Sequence, residues 1–170
     1  MGTSIATEEK VDGAIKVNRE PFAMVPFCGY NMADYFAHWL DMRNALGYNA
    51  PKIFHVNWYR KDGNNHYLWP GFDENSRVLK WIFQRLSDSG QVVRTPIGFM
   101  PPVAGLDLRG VDVSKEDVEK ALKVDTTEWT NEMASLKQFL VQLGAPETLK
   151  QEVEVIEHRL KEGNNNNNHH

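Results

Sequence analysis

Apolar positions recur every three or four residues in two segments of the first half of the chain. The first segment carries Met32, Tyr35, Phe36, Trp39 and Leu40. The second carries Val78, Leu79, Ile82, Phe83 and Leu86. This period is typical of a helix with one buried face. With Asn31 as a favourable N-cap, the pattern predicts an amphipathic helix ending near Gly47 and another from Asn75 to about Gly90.

The carboxyl third shows the same period over a longer stretch. One stripe consists of Trp129, Met133, Leu136, Leu140 and Leu143, and a second consists of Leu149, Val153, Ile156 and Leu160. Gly144 and Pro146 stand between the stripes, where a helix end and a new helix start are favoured. The pattern predicts an antiparallel helical hairpin. Ser114–Asp117 resembles a capping box. It predicts that a short helix begins there, before the hairpin.

Strand signals are short and lie between the helices. Residues 51–59, PKIFHVNWY, are apolar on both faces except at His55 and Asn57, which predicts a largely buried strand. A turn containing Asp62 follows, and the chain returns at Tyr67, so Tyr59 and Tyr67 are expected to flank one connection. Residues 91–102, QVVRTPIGFMPP, predict one more short strand followed by irregular structure.

These elements predict a mixed α/β fold, with short strands, amphipathic helices and a C-terminal helical hairpin. At 170 residues the chain is long enough to bury one core. We divide it into a flexible lid-like segment (1–20), a mixed α/β part (21–112), the C-terminal helices (113–162) and a tail (163–170). The tail, GNNNNNHH, is expected to be disordered, as a spacer with a remnant purification tag would be.

Net charge and cysteine content indicate which partners and which cellular compartment to expect. A net charge of −4 gives no bulk electrostatic reason to expect nucleic acid or an anionic membrane as partner. No segment has the uninterrupted apolar length of a membrane span. The single cysteine, Cys28, excludes a disulfide framework and favours a reducing compartment, so we expect a cytoplasmic protein.

The chemistry of interest lies in residues 67–81, YLWPGFDENSRVLKW, where aromatic rings crowd around a Pro-Gly pair. A nucleotide base is apolar on its faces and polar at its edges, so its pocket needs aromatic walls and a few directed polar groups. Tyr59, Tyr67 and Phe72 are candidate walls. The amide of Asn75 could distinguish the six-position oxygen of guanine from the amino group of adenine. The alternative is that the rings are core and that Asn75 only caps a helix.

Other site types receive less support. His38 and His55 lie in apolar surroundings and are interpreted as structural, and no His, Cys, Asp and Glu set has metal-site spacing. Cys28 has no cationic neighbour in sequence and is interpreted as an inert thiol. The chain contains no GxxxxGK[ST], GxGxxG or GxSxG pattern.

Three segments resemble the C-terminal part of the GTP-dependent phosphoenolpyruvate carboxykinases. They are PFAMVPFCGYNMADYFAHWL, PKIFHVNWYRKD and YLWPGFDENSRVLKWIFQRL. The resemblance implies that residues 21–112 bind the guanine of GTP or GDP. It places aromatic rings against the base and further contacts in the segment that ends at Asn75, a set consisting of Tyr59, Tyr67, Phe72, Asp73, Glu74 and Asn75. Phe27 would lie on the substrate side, and SIATEEKVDG is similar to part of the family's mobile lid.

The sequence departs from the family at three of these positions. Tyr59 and Tyr67 stand where phenylalanine is more usual, and Asp73 stands where glycine is usual. A tyrosine ring can still stack on a base as phenylalanine does. Asp73, in contrast, would affect the approach of the backbone to the base and could repel phosphates.

The resemblance implies a decarboxylating lyase reaction of gluconeogenesis, in which oxaloacetate and GTP are converted to phosphoenolpyruvate, carbon dioxide and GDP. In the family, the phosphate loop, the Mn or Mg ligands and the substrate arginines lie upstream of the matched region. We therefore expect this chain to need the missing N-terminal catalytic portion and to be inactive alone, with no catalytic or metal-binding residue of its own. The alternative is a non-catalytic or engineered module that keeps the fold for stability or partner binding.

Overall fold

The computed structural model describes residues 10–11, 14–15 and 27–167. Within these residues the chain forms two compact units. One comprises the residues up to His55 together with Asn131–Glu157, and the other comprises Val56–Thr130 together with the residues from His158 onward.

Five α-helices, three short 3₁₀ turns and two small hairpins make up the regular structure of the described residues. The helices are α1 (Met32–Leu46), α2 (Asn75–Leu86), α3 (Lys115–Leu122), α4 (Thr126–Leu143) and α5 (Glu147–Asn167). The strands are β1 (Lys10–Val11), β2 (Ala14–Ile15), β3 (Val93–Thr95) and β4 (Gly98–Met100), paired antiparallel as β1 with β2 and β3 with β4. The predicted mixed fold of short strands and amphipathic helices is therefore confirmed.

The helix ends are formed by the residues that the sequence indicates. The Asn31 side chain accepts a hydrogen bond from the Ala33 N–H at 2.8 Å, and α1 ends at Gly47, which has a φ of 52°. At the start of α3, Ser114 Oγ accepts from the Asp117 N–H at 3.0 Å. Each bond satisfies a backbone donor that has no partner within its own helix.

The end of α4 is a Schellman motif. Gly144, with a φ of 70°, donates its N–H to Val141 O, and Ala145 donates to Leu140 O at 2.9 Å. This pair of hydrogen bonds requires a residue with a left-handed backbone conformation at the position of Gly144. Three residues separate the end of α4 from the start of α5, close to where the sequence predicts the connection.

The packed faces of α4 and α5 are also the predicted ones. Met133, Leu140, Val153 and Leu160 are each at most 3% exposed. Lys137 of α4 contacts both Glu154 and Glu157 of α5, at 3.3 and 3.8 Å, so α5 runs back along α4. Helix α5 continues through residues 163–167, which were predicted to belong to a disordered tail.

Two strand predictions are wrong. Residues 51–59 form no strand, and Ile53 is 71% exposed. A strand needs a paired neighbour, and neither of the two sheets in the described part of the chain includes this segment. The one short strand predicted within residues 91–102 is instead a hairpin of two strands, β3 and β4, joined by the turn at Pro96.

Among the described residues, no helix has both the length and the apolar character needed to cross a membrane.

Candidate functional site

Tyr59 and Tyr67 lie side by side at the two ends of one connection, as predicted. Lys61 and Tyr67 form an antiparallel bridge, and Leu68 donates its N–H to Arg60 O at 2.9 Å. The two tyrosine rings are 6.5 Å apart between centroids at an interplanar angle of 66°, which is a favourable edge-to-face arrangement. Both rings face solvent: Tyr59 is 74% exposed and Tyr67 is 59% exposed.

The turn between the two tyrosines is fixed by Asp62. Its Oδ1 accepts hydrogen bonds from the N–H groups of Asn64 and His66, both at 2.9 Å. The bond from the His66 N–H is the main reason why the pKa of Asp62 lies below its usual value. The turn also contains Asn65, whose φ is 68° and whose side chain accepts from Lys61. These local bonds stabilise the connection from which both rings project.

Lys61 also contacts one of the rings directly. Its ammonium group lies 4.5 Å from the centroid of the Tyr67 ring, within the range of a cation–π interaction. This contact restrains the ring of Tyr67 from one side.

Arg60 attaches the same connection to the end of α3. Its Nη1 donates to Ala121 O at 3.0 Å and to Lys123 O at 2.7 Å, and its Nη2 lies 3.9 Å from the Glu128 carboxylate. The last carbonyls of a helix have no partner within the helix and carry partial negative charge, so a guanidinium is a fitting partner. These contacts with the end of α3 hold the chain in place next to Tyr59.

Phe72, Asp73 and Glu74 form a single 3₁₀ turn immediately before α2. Gly71 precedes the turn with a φ of 117°, a conformation that residues with a Cβ rarely adopt. Phe72 is 89% exposed and Asp73 is exposed as well. Asp73 does not have a positive φ, so its backbone does not need the glycine that is usual in the resembled family; Gly71 is the residue that does.

Asn75 does not cap α2 with its side chain. Helix α2 begins at Asn75 without a side-chain capping bond, and Asn75 Oδ1 accepts a hydrogen bond from Trp69 Nε1 at 2.9 Å. The view that Asn75 only caps a helix is therefore wrong. The bond links the end of the turn to Trp69, which is 8% exposed and lies two residues after Tyr67.

Glu74 belongs to an ion-pair cluster that fixes the start of α2. It pairs with Arg77, whose Nη1 also donates to the backbone oxygen of Asp107. The Asp107 carboxylate in turn accepts from Arg109 and Lys80, at 2.8 and 2.9 Å, and these hydrogen bonds hold its pKa well below the usual range. Glu74 is thus engaged in structure, while Asp73 beside it projects from the turn.

The three rings are open to solvent. Two shallow depressions of about 340 and 350 Å³ lie in this compact unit, and none of Tyr59, Tyr67 and Phe72 lines either of them. The three rings therefore lie on two exposed segments, residues 59–67 and 71–75, which flank buried Leu68 and Trp69 in the sequence. We call these two segments the ring-bearing surface.

The remaining candidates stand apart from this surface in the sequence. Phe27 belongs to the other compact unit and is 82% exposed. The predicted lid, residues 1–20, lies outside the described residues apart from β1 and β2. Within the described ranges, no three His, Cys, Asp or Glu side chains are grouped as metal ligands would be.

The supporting roles of Arg60, Lys61 and Trp69 are not predicted by the sequence pattern. Arg60 acts on a helix end some sixty residues later in the chain, and no local pattern signals such a contact. Trp69 looks like an ordinary buried aromatic residue. The only available signal was that an indole N–H needs an acceptor when it is buried.

Comparison with known proteins assigns the chain to a family. A family model described as the phosphoenolpyruvate carboxykinase C-terminal P-loop domain matches residues 1–159. The chain is also similar to curated proteins named phosphoenolpyruvate carboxykinase [GTP]. The one from Neocallimastix frontalis is 44% identical, over 95% of this chain and 28% of its own length. Those from Chlamydia muridarum and Treponema pallidum are each 42% identical, over 94% of this chain and 27% and 26% of their own lengths.

The chain thus spans little more than a quarter of the length of the relatives it matches. The family match covers almost all of the described residues, including the turn of Asp62, the 3₁₀ turn of Phe72 and the start of α2. On this match, the chain belongs to the GTP-dependent phosphoenolpyruvate carboxykinase family and corresponds to its C-terminal part.

Proposed function

We propose that this chain is the guanine-nucleotide-binding portion of a GTP-dependent phosphoenolpyruvate carboxykinase. The observation that carries the proposal is the exposure of three rings, Tyr59, Tyr67 and Phe72, on a supported surface. Exposed aromatic rings contribute little to a core, whereas each can stack on a flat base. The alternative in which these rings are core does not fit their exposure.

The polar groups beside the rings suit the edge of a purine. Asn75 offers a directed amide, and Asp73 carries an exposed carboxylate that can accept hydrogen bonds from the N–H groups of guanine. Glu74 contributes indirectly, because its ion pair with Arg77 holds the 3₁₀ turn in place. Phe27 is assigned to the substrate side of the parent enzyme by family likeness alone.

We propose further that catalysis belongs to the longer protein. The family reaction of oxaloacetate with GTP is a phosphoryl transfer that depends on positioned phosphates and a divalent metal ion. This chain has no GxxxxGK[ST] pattern. Mn or Mg ligands, a role in gluconeogenesis and a cytoplasmic location are accordingly assigned to the parent enzyme as predictions.

Calorimetric titration of the purified chain with GDP and, in parallel, ADP tests the binding proposal. We expect GDP to bind and ADP to bind more weakly. A folded, monodisperse chain that binds neither nucleotide, or both equally, would contradict it. A coupled assay for oxaloacetate formation from phosphoenolpyruvate should give no turnover with the chain alone, and measurable turnover would contradict the assignment of catalysis elsewhere.

A further inference from the structure

The orientation of the Asn75 side-chain amide is fixed by chemistry on one side. Trp69 Nε1 lies 2.9 Å from Asn75 Oδ1. An indole nitrogen is a donor only, so the amide atom facing it must be the oxygen and not the nitrogen. The Asn75 Nδ2 group therefore points away from Trp69, with two N–H donors to offer.

Rotating this amide by half a turn is unfavourable because Trp69 is buried. Trp69 is only 8% exposed, and its N–H would then face another donor. A buried donor left without a partner loses its desolvation free energy in full. The bond therefore acts as a lock on which end of the amide is presented to a ligand.

The end presented matches one purine and not the other. Guanine has a carbonyl oxygen at its six-position, which accepts from an N–H group, whereas adenine has an amino group there, which would face another donor. We propose that Trp69 is a positioning residue that sets guanine selectivity by locking the Asn75 amide with its donor end outward. The inference rests on the proposed guanine-nucleotide site and adds the residue that determines its selectivity.

The test is Trp69→Phe, which keeps a buried ring and removes the N–H. Without the lock, the Asn75 amide can present either end. GDP affinity then falls by no more than a few-fold, whereas ADP gains an acceptor, and we expect the GDP-to-ADP affinity ratio to fall by about tenfold. IDP shares the six-position oxygen with GDP but lacks its two-amino group, so its affinity should follow that of GDP.

The chain offers a matched control in Trp81→Phe. Trp81 is 5% exposed, and its Nε1 donates to Gln91 O at 2.8 Å, a backbone carbonyl outside the ring-bearing surface. This variant loses a buried indole hydrogen bond whose acceptor is not Asn75. Its GDP-to-ADP ratio should equal that of the parent chain, even if its unfolding temperature falls.

The outcomes separate this inference from the proposed function. If the parent chain binds GDP selectively and Trp69→Phe retains the same ratio, the inference is overturned and the guanine site stands. If Trp69→Phe weakens GDP and ADP by the same factor, Trp69 is only structural and the inference is again overturned. If the parent chain does not discriminate between the nucleotides, both proposals fail.

A measurement on the parent chain covers the case in which Trp69→Phe does not fold. In ¹⁵N-labelled protein, the Trp69 indole proton should exchange with solvent as slowly as the Trp81 indole proton. In Asn75→Ala, the Trp69 proton should lose that protection while the Trp81 proton keeps it. Rapid exchange of the Trp69 proton in the parent chain would show that the lock does not exist.

Discussion

Replacement of Phe72 by alanine separates a ligand-binding ring from a core ring. Phe72 is 89% exposed, so only about a tenth of its surface is buried in the free protein. At ~25 cal/mol per Å² of apolar surface and ~200 Å² for a phenylalanine, its removal should lower the free energy of unfolding by about 0.5 kcal/mol. One base–aromatic stack is worth ~1 to 3 kcal/mol, so GDP affinity should fall between about fivefold and about 150-fold.

The two effects are measured separately, by calorimetric titration with GDP and by urea denaturation. Phe83→Ala is the matched control, because Phe83 is another exposed phenylalanine, 70% exposed, on α2, the helix that follows the turn of Phe72. It lies eight residues after Asn75, which is roughly 12 Å along the helix axis. The control should leave GDP affinity unchanged. The reasoning is refuted if Phe72→Ala retains the parent affinity for GDP, or if it destabilises the fold by several kcal/mol.

Four further substitutions probe the ring-bearing surface and its support. Tyr59→Phe and Tyr67→Phe should each keep GDP affinity within about twofold, because stacking depends on the ring and each ring is more than half exposed; a larger loss by calorimetry would give the hydroxyl a direct role. Arg60→Met should cost about 1.5 to 3 kcal/mol in urea unfolding, since two carbonyls at the end of α3 lose a charged donor; an unchanged midpoint would count against this anchor. Asp107→Asn should destabilise the chain at pH 7. The difference in unfolding free energy between variant and parent should shrink as pH falls below about 4, because a carboxylate with a lowered pKa stabilises the fold only while it is ionised. A difference in unfolding free energy that is constant from pH 7 to pH 3 would contradict the ion-pair cluster.

The helix positions could be predicted from the sequence because they depend on local rules. The cap at Asn31, the left-handed Gly144 and the buried stripe through Met133 and Leu140 each follow from neighbours a few residues away. Residues 51–59 did not form the expected strand, because a strand depends on partners that are distant in the sequence. An apolar run shows that a segment tends to be buried, but it does not show what pairs with it.

The candidate site was predictable in part for the same reason. The pairing of Tyr59 with Tyr67 follows from a short connection whose turn residue, Asp62, is recognisable in the sequence. The anchoring of Arg60 to α3 and the bond between Trp69 and Asn75 depend on side-chain directions. Side-chain directions are settled by tertiary packing, which residue spacing does not encode.

We propose that a guanine base lies against the exposed rings of Tyr59, Tyr67 and Phe72 with its edge toward Asn75. The most direct test is an NMR measurement of intermolecular nuclear Overhauser effects between bound GDP and the ¹³C-labelled chain. We expect the guanine H8 and ribose H1′ protons to give cross-peaks to the ring protons of these three residues, and the same rings to give weaker cross-peaks or none with ADP. Cross-peaks from GDP to other residues, with none to these rings, would contradict the account.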